Sequence, residues 1–345
     1  MKKENSMSKM KIGLIGYGYW GPNFARVINE SNDCCLKYCC DVNEAALQRI
    51  KSKYPQVVAS RDYHDILKDD TIDAVIVVSP TRTHFAIAKD CLMAKKHVLV
   101  EKPITQTTQE AQELIRLAEE NGVVLMVGHV FLFNPAVRFI EKAIDEGELG
   151  RLRHLHFQRR SLGPIRKDVN VLWDLAPHDI SMALRFIKKP PVSVIASGEV
   201  FLQDNIHDIV SLSIKFCDSI MVNMIFSWID PVKIRDVAIV GDKKMILFDD
   251  VNQTEKIRIF NKNANIIRDT CDVSFGEYQI SLHSGDVFIP SIANKEPLKE
   301  ELNHFLECVR GSKKPLTDGE NGLEVVKVLC AVQESLDNHS KMVKI

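Results

Sequence analysis

Hydrophobic and polar positions follow two different rhythms along this chain. Over residues 11–128, short apolar runs of strand length alternate with stretches of helical spacing, the order required by a parallel sheet with crossover helices. The runs at 11–15, 34–40, 57–59, 72–78, 97–100 and 123–127 predict strands. Helical patterns follow the first run (Phe24, Val27, Ile28) and cover 43–53, 62–68, 83–94 and 107–121, the last closed by Gly122. After 128 the rhythm changes. A helix over 134–146, a strand over 151–160 and a helix over about 177–187 lead into strands at 192–202, 207–216, 219–229, 232–240, 244–248 and 256–260. Cys217-Asp218 and Gly241-Asp242 are hairpin-type turns between them. Helices at 300–310 and 322–337 close the chain. The expectation is a frayed tail over 1–10, a parallel α/β domain over 11–128, and an α+β domain with an antiparallel sheet over 129–345. The last helices are free to pack back on the first domain.

The first strand ends in Gly16-Tyr17-Gly18-Tyr19-Trp20-Gly21-Pro22, and a helix begins at once. In this context Gly16 permits the tight turn, Gly18 lets a pyrophosphate approach the backbone, and Gly21 lets helix and strand pack closely. The phosphates then meet free N–H groups at the helix start, and Pro22 suits the first turn. The second strand ends in Asp41, twenty residues after Gly21. A carboxylate there accepts hydrogen bonds from a ribose 2′-OH and repels a 2′-phosphate. The pattern therefore predicts a dinucleotide, NAD in preference to NADP.

Composition narrows the class without changing it. The chain has 345 residues, 45% apolar and 26% charged, with a formal net charge of −1. No global field recruits nucleic acid or an anionic membrane, and no apolar run has bilayer length. The first ten residues lack the apolar core of a signal peptide. Nine cysteines without such a signal suit a reducing, cytoplasmic setting. Cys34, Cys35, Cys39 and Cys40 lie on one predicted strand, where neighbours point to opposite faces, so they read as small hydrophobes and no metal is expected. Apolar residues on both faces of the second sheet predict a homo-oligomer.

Ligands of an open parallel sheet sit at the carboxyl ends of its strands. Three such ends carry chemistry: Ser79-Pro80-Thr81 with His84, Glu101-Lys102-Pro103, and Gly128-His129. An ammonium at Lys102 can contact a substrate hydroxyl and stabilise alkoxide charge. By position alone it reads equally as a surface lysine paired with Glu101. Farther on, Trp173-Asp174-Leu175-Ala176-Pro177-His178-Asp179 spaces Asp174 and His178 four apart, on one face if the segment is helical. Such a couple can take up an alcohol proton. It also reads as a helix-start histidine with Asp174 as the cap. Arg159 or Arg160, only one of which a strand can turn toward a ligand, suits a diphosphate or a carboxylate. Asn170 and His129 are further candidate sugar contacts. No nucleophile elbow or activated cysteine is present.

Taken together these residues resemble the Gfo/Idh/MocA oxidoreductases, over nearly the whole chain. The resemblance is carried by the glycine motif, by Ser79-Pro80-Thr81 with His84, Glu101-Lys102-Pro103, Gly128-His129 with Asn134-Pro135, and the 173–179 segment. It implies an α/β fold with an N-terminal Rossmann domain, a C-terminal domain on an open, mostly antiparallel sheet, and dimers or tetramers formed through those sheets. It implies Lys102, Asp174 and His178 as catalytic residues. It places NAD on Gly16, Gly18, Tyr19, Trp20, Gly21, Asp41, Ser79, Pro80, His84, Glu101 and Lys102. Trp173 joins His129, Arg159, Arg160 and Asn170 as a weaker substrate contact. The segments 170–179 and 227–231, with Gly285-Asp286 and Glu296-Pro297-Leu298, are similar to sugar-nucleotide dehydrogenases of surface-polysaccharide and lipid A pathways. These oxidise the 3-hydroxyl of UDP-N-acetylglucosamine or its uronic acid with NAD and feed a PLP-dependent aminotransferase. A ketosugar-nucleotide reductase and a non-catalytic NAD-binding regulator are the alternatives within the family.

Overall fold

The computed structural model of the protein describes residues 9–267 and 279–345, so eight of the ten tail residues lie outside the described residues. The chain divides into two compact units, Met1–Phe133 with Lys295–Lys327, and Asn134–Asn294 with Val328–Ile345.

In the first unit β1 (Met10–Ile15), α1 (Gly21–Glu30), β2 (Cys34–Cys40), α2 (Glu44–Lys53), β3 (Val58–Ser60), α3 (His64–Leu67), β4 (Ala74–Val77), α4 (His84–Met93), β5 (His97–Glu101), α5 (Thr108–Asn121) and β6 (Leu125–Gly128) alternate in order. The strands form one parallel sheet in the order β3-β2-β1-β4-β5-β6. Its order reverses between β1 and β4, the switch point where such sheets bind ligands. Helices on both faces leave the central strands no solvent side, and every residue of β4 is buried. Thr107 and Glu110 form a capping box at the start of α5, and Gly122 ends it at φ 64°. Cys34, Cys39 and Cys40 are buried on β2. Burial pushes the Cys39 and Cys40 thiols up to about 12, so they stay protonated packing groups.

The rest of the chain supplies α6 (Pro135–Asp145), β7 (Leu152–Leu162), α7 (Val171–Ile187), β8 (Pro191–Glu199), β9 (Ile209–Phe216), β10 (Met221–Ser227), β11 (Ile229–Gly241), β12 (Met245–Asp249), β13 (Ile257–Ile267), β14 (Gln279–Phe288), α8 (Pro297–Val309), α9 (Gly319–Asp337) and β15 (Val343–Lys344). The second unit is built on a nine-stranded sheet, β14-β13-β12-β11-β7-β10-β9-β8-β15. Only the β7–β10 pairing is parallel among the described strands. One face buries Leu155, Phe157, Leu212, Ile214, Val222, Met224 and Phe226 in strict alternation, with α7 against β7, β9 and β10. The opposite face mixes Ile195, Ser211, Lys215, Met221 and His156, all at least partly exposed.

Three of the differences from the sequence expectation have a local physical reason. Helix α7 starts at Val171, not near 177. Asn170 caps it, and Pro177 lies inside. Pro231, expected between two strands, lies within β11, where the register against β7 shifts between Ile229 and Ile234, a place that tolerates a missing N–H. Strand β14 was not anticipated. Leu282 on it is 80% exposed, so it buries too little to leave an apolar signature.

Helix α8 belongs to the first unit. Its Leu298, Leu302, Phe305 and Leu306 join the core that holds Leu14, Phe24 and Phe133. Thr317 donates to Val127 O at 2.7 Å and closes this return segment onto β6.

Candidate active site

At the end of β1 the three glycines serve three different needs. Gly16 sits at φ 101°, and a Cβ there would lie 2.6 Å from Val78 O. A Cβ on Gly21 would run into Gly16 O. A Cβ on Gly18 would meet nothing within 4 Å, so this glycine faces open space. Trp20 precedes α1 without a side-chain cap; Pro22 has no N–H and Asn23 N donates to Trp20 O at 2.9 Å, so the N–H this helix start turns toward an anion is that of Gly21. Asp41 follows β2 and accepts Tyr17 N at 2.6 Å and Asn43 N at 2.8 Å. The carboxylate is thereby fixed beside the glycine turn, with lone pairs left for a ribose hydroxyl. Tyr19, 88% exposed, stands at the rim. An open glycine, an uncapped helix start and a fixed carboxylate together fit a dinucleotide.

Behind β4 and β5 the walls are cross-braced. Ser79 Oγ accepts Thr83 Oγ1 at 2.7 Å, and Pro80 opens a short 3-10 turn over Thr81–Thr83. The His84 ring is buried, with Nδ1 2.8 Å from Pro103 O and Nε2 2.8 Å from Ser79 O. It ties the turn after β4 to the Lys102-Pro103 turn, so its ring atoms are engaged within the wall.

Glu101 ends β5 in register with Gly128 on β6. A Cβ at Gly128 would stand 3.0 Å from the Glu101 carboxyl carbon, so the glycine makes room for the acid. Glu101 Oε2 accepts Lys102 N at 3.1 Å, and the carboxyl also takes a hydrogen bond from the Trp20 side chain. Burial pushes the Glu101 carboxyl up to about 7, against the pull of the Lys102 charge and these two donors. Lys102 itself is half-buried. His129 is fully buried, and burial, then the Lys102 charge, pushes its imidazole down to about 3. It is therefore neutral. Neither of its ring nitrogens has a hydrogen-bond partner among the described residues.

In the second unit α7 carries the other expected residues. Asn170 Oδ1 accepts Trp173 N at 3.2 Å as the helix cap. Gln333 Oε1 gathers Asn170 Nδ2 at 2.9 Å and Trp173 Nε1 at 3.2 Å. Asp174 and His178 lie one turn apart on the same side of the helix. The Asp174 carboxylate accepts Trp228 Nε1 at 3.3 Å and Arg166 Nη1 at 3.3 Å. Arg166 also grips Asp168 at 3.0 and 2.7 Å. The two strand arginines do point to opposite faces. Arg159 is buried in a bidentate pair with Asp179, at 3.1 and 2.6 Å, which pins β7 to α7. Arg160 bonds Asp230 at 2.8 Å and Gln158 at 2.9 Å.

Two family models match the chain in succession: the oxidoreductase family with an NAD-binding Rossmann fold over residues 10–129, and the GFO/IDH/MocA C-terminal domain over 137–247. The chain belongs to the GFO/IDH/MocA oxidoreductase family. Two similar members are the UDP-N-acetylglucosamine 3-dehydrogenase of Acidithiobacillus ferrooxidans, 27% identical over 96% of this chain and 98% of that one, and the myo-inositol 2-dehydrogenase of Thermotoga maritima, 25% identical over 95% and 96%. A solved structure of the former, GnnA, superposes with a TM-score of 0.81 at 25% identity, covering 97% of this chain and all of that one. Like other members of the GFO/IDH/MocA family, the chain carries its NAD-binding Rossmann domain at the N-terminal end.

Three polar residues of this family member escaped the sequence reading. Arg166 and Trp228 bond Asp174 from a loop and a strand end, and no local pattern connects them to it. Glu301 had a signal: it interrupts the apolar stripe Leu298, Leu302, Phe305 at helical spacing, which places a carboxylate on the buried side of α8.

Proposed function

We infer that this NAD-binding oxidoreductase oxidises the 3-hydroxyl of a UDP-sugar, UDP-N-acetylglucosamine or its uronic acid, to the 3-keto sugar. The observation that carries the reading is the similarity to the A. ferrooxidans UDP-N-acetylglucosamine 3-dehydrogenase across 96% of the chain. In this reading Gly18, the start of α1 and Asp41 would hold NAD, which would supply the acceptor for the hydride of the carbinol carbon. His178 accepts the alcohol proton. Asp174, one turn before it, supports the cationic imidazole, while Arg166 and Trp228 keep its carboxylate in one orientation. Lys102 contributes an ammonium to the reacting oxygen. The ketone is consumed by a PLP-dependent aminotransferase. The open face of the nine-stranded sheet is where copies of the chain associate, which light scattering on the eluted protein tests.

A second reading, oxidation of a cyclitol hydroxyl, is favoured by the myo-inositol 2-dehydrogenase relative at 25% identity. The two separate on one assay. NAD is mixed with UDP-N-acetylglucosamine, UDP-N-acetylglucosaminuronic acid or myo-inositol, with an aminotransferase added to remove any 3-keto sugar, and NADH absorbance is followed. Turnover with a UDP-sugar is expected. Turnover with myo-inositol alone overturns the first reading.

A further inference from the structure

We propose that Glu101 and Glu301 form a buried acid pair that holds one proton between them, and that Glu301 acts through this pair as a positioning residue for the Lys102 turn. Glu301 comes from α8, in the segment that returns to complete the first unit. It is completely buried, and neither of its carboxyl oxygens has a hydrogen-bond partner among the described residues. Glu101 Oε1 is in the same state. Three buried acceptor oxygens without a donor are costly, and burial together with mutual repulsion disfavours ionising both carboxyls. A proton on one acid turns it into the donor the other lacks.

The groups facing the pair decide which acid carries it. Glu101 is faced by the Lys102 ammonium, by Lys102 N–H and by the Trp20 indole from the turn before α1. All three favour its ionised form. The charge acting on Glu301 is that of Glu101, and this together with burial raises Glu301 well above the ordinary carboxyl range. His129, at the end of β6, is neutral and faces Lys102. The proton therefore belongs on Glu301, whose O–H donates to Glu101 Oε1. Glu101 is then held by α8, by the glycine-motif turn and by the Lys102 backbone at once. Loss of that proton places a second negative charge beside the first and frees the Lys102 turn from α8.

The inference goes beyond the substrate reading and its test needs no sugar. Infrared spectra of the full-length protein, without cofactor at neutral pH, are compared for wild type, Glu301→Gln and Glu301→Leu, and NAD affinity is measured by calorimetry. The wild type shows the C=O stretch of a protonated buried acid, and both variants lose it. Gln keeps an N–H donor for Glu101 and binds NAD within about twofold of wild type, whereas Leu strands Glu101 and weakens NAD binding by roughly tenfold or more. As pH rises, NAD affinity falls in the wild type and stays level in Glu301→Gln. The proposal is overturned if the wild type lacks the band, if the band survives in Glu301→Gln, or if the Leu variant binds NAD as the Gln variant does.

Discussion

A methyl group added at Gly16 and one added at Gly18 should have opposite consequences. At Gly16 the left-handed φ of 101° and the closeness of Val78 O make alanine strained and crowded. Gly16→Ala should cost about 1–3 kcal/mol of stability, seen as a lower melting temperature, whether or not NAD is present. At Gly18 no heavy atom waits within 4 Å. Gly18→Ala should melt like wild type yet bind NAD more weakly, because the methyl occupies the space a pyrophosphate needs. Calorimetry beside a melting curve separates the two. At this scale the tight glycine turn and the carboxylate beside it were legible because glycine spacing and a strand-end acid are local signals. Arg159 was less so. Its charge suggested an anionic ligand, but Asp179, which takes both ends of its guanidinium, reaches it only through the packing of α7 on β7.

Helix α7 shows how an element can be recognised and still be misplaced. Proline is favoured in a first turn, so Pro177 read as a helix start. The actual start is Asn170, whose side chain holds Trp173 N and reaches Gln333. The buried stripe Val171, Leu172, Ala176, Ile180 and Ala183 carries the helix past the proline despite the N–H it lacks. Asn170→Ala should cost about 1 kcal/mol through the lost cap, read by urea denaturation. Because Asp174 stands in that first turn, activity should fall further than stability does. The sheet elements divide the same way. Strands that bury one face, such as β9 and β10, were legible from alternation, whereas β14, which buries little, was not.

For the molecule as a whole, pH dependence follows from its buried titratable groups. His129 is depressed to about 3, so its contribution is present above the unfolded value near 6.5 and is lost as pH falls. Glu101 and Glu301 are raised, so their contribution is full below the unfolded value and is lost as pH climbs through the folded ones, about 7 for Glu101. Below 6.5 the two slopes oppose each other. Above 6.5 only the carboxyl slope remains. Urea midpoints should therefore decline as pH rises above about 6.5, and Glu301→Gln should flatten that decline. The alternating and antiparallel halves were visible in the sequence as a change of rhythm. The assignment of α8 was left open there, since an amphipathic helix shows that it is buried without saying against what.

Helix α8 also sets a timetable for synthesis. The ribosome releases β1 through β6 early, but the helix that covers Leu14 and Phe24 emerges only after the intervening Asn134–Asn294 has been made. Until then the nascent nucleotide-binding half keeps an uncovered apolar seat, a target for chaperones and for aggregation. A premature stop near residue 294 would spare every glycine of the phosphate turn and still leave that half without its lid of leucines and phenylalanine.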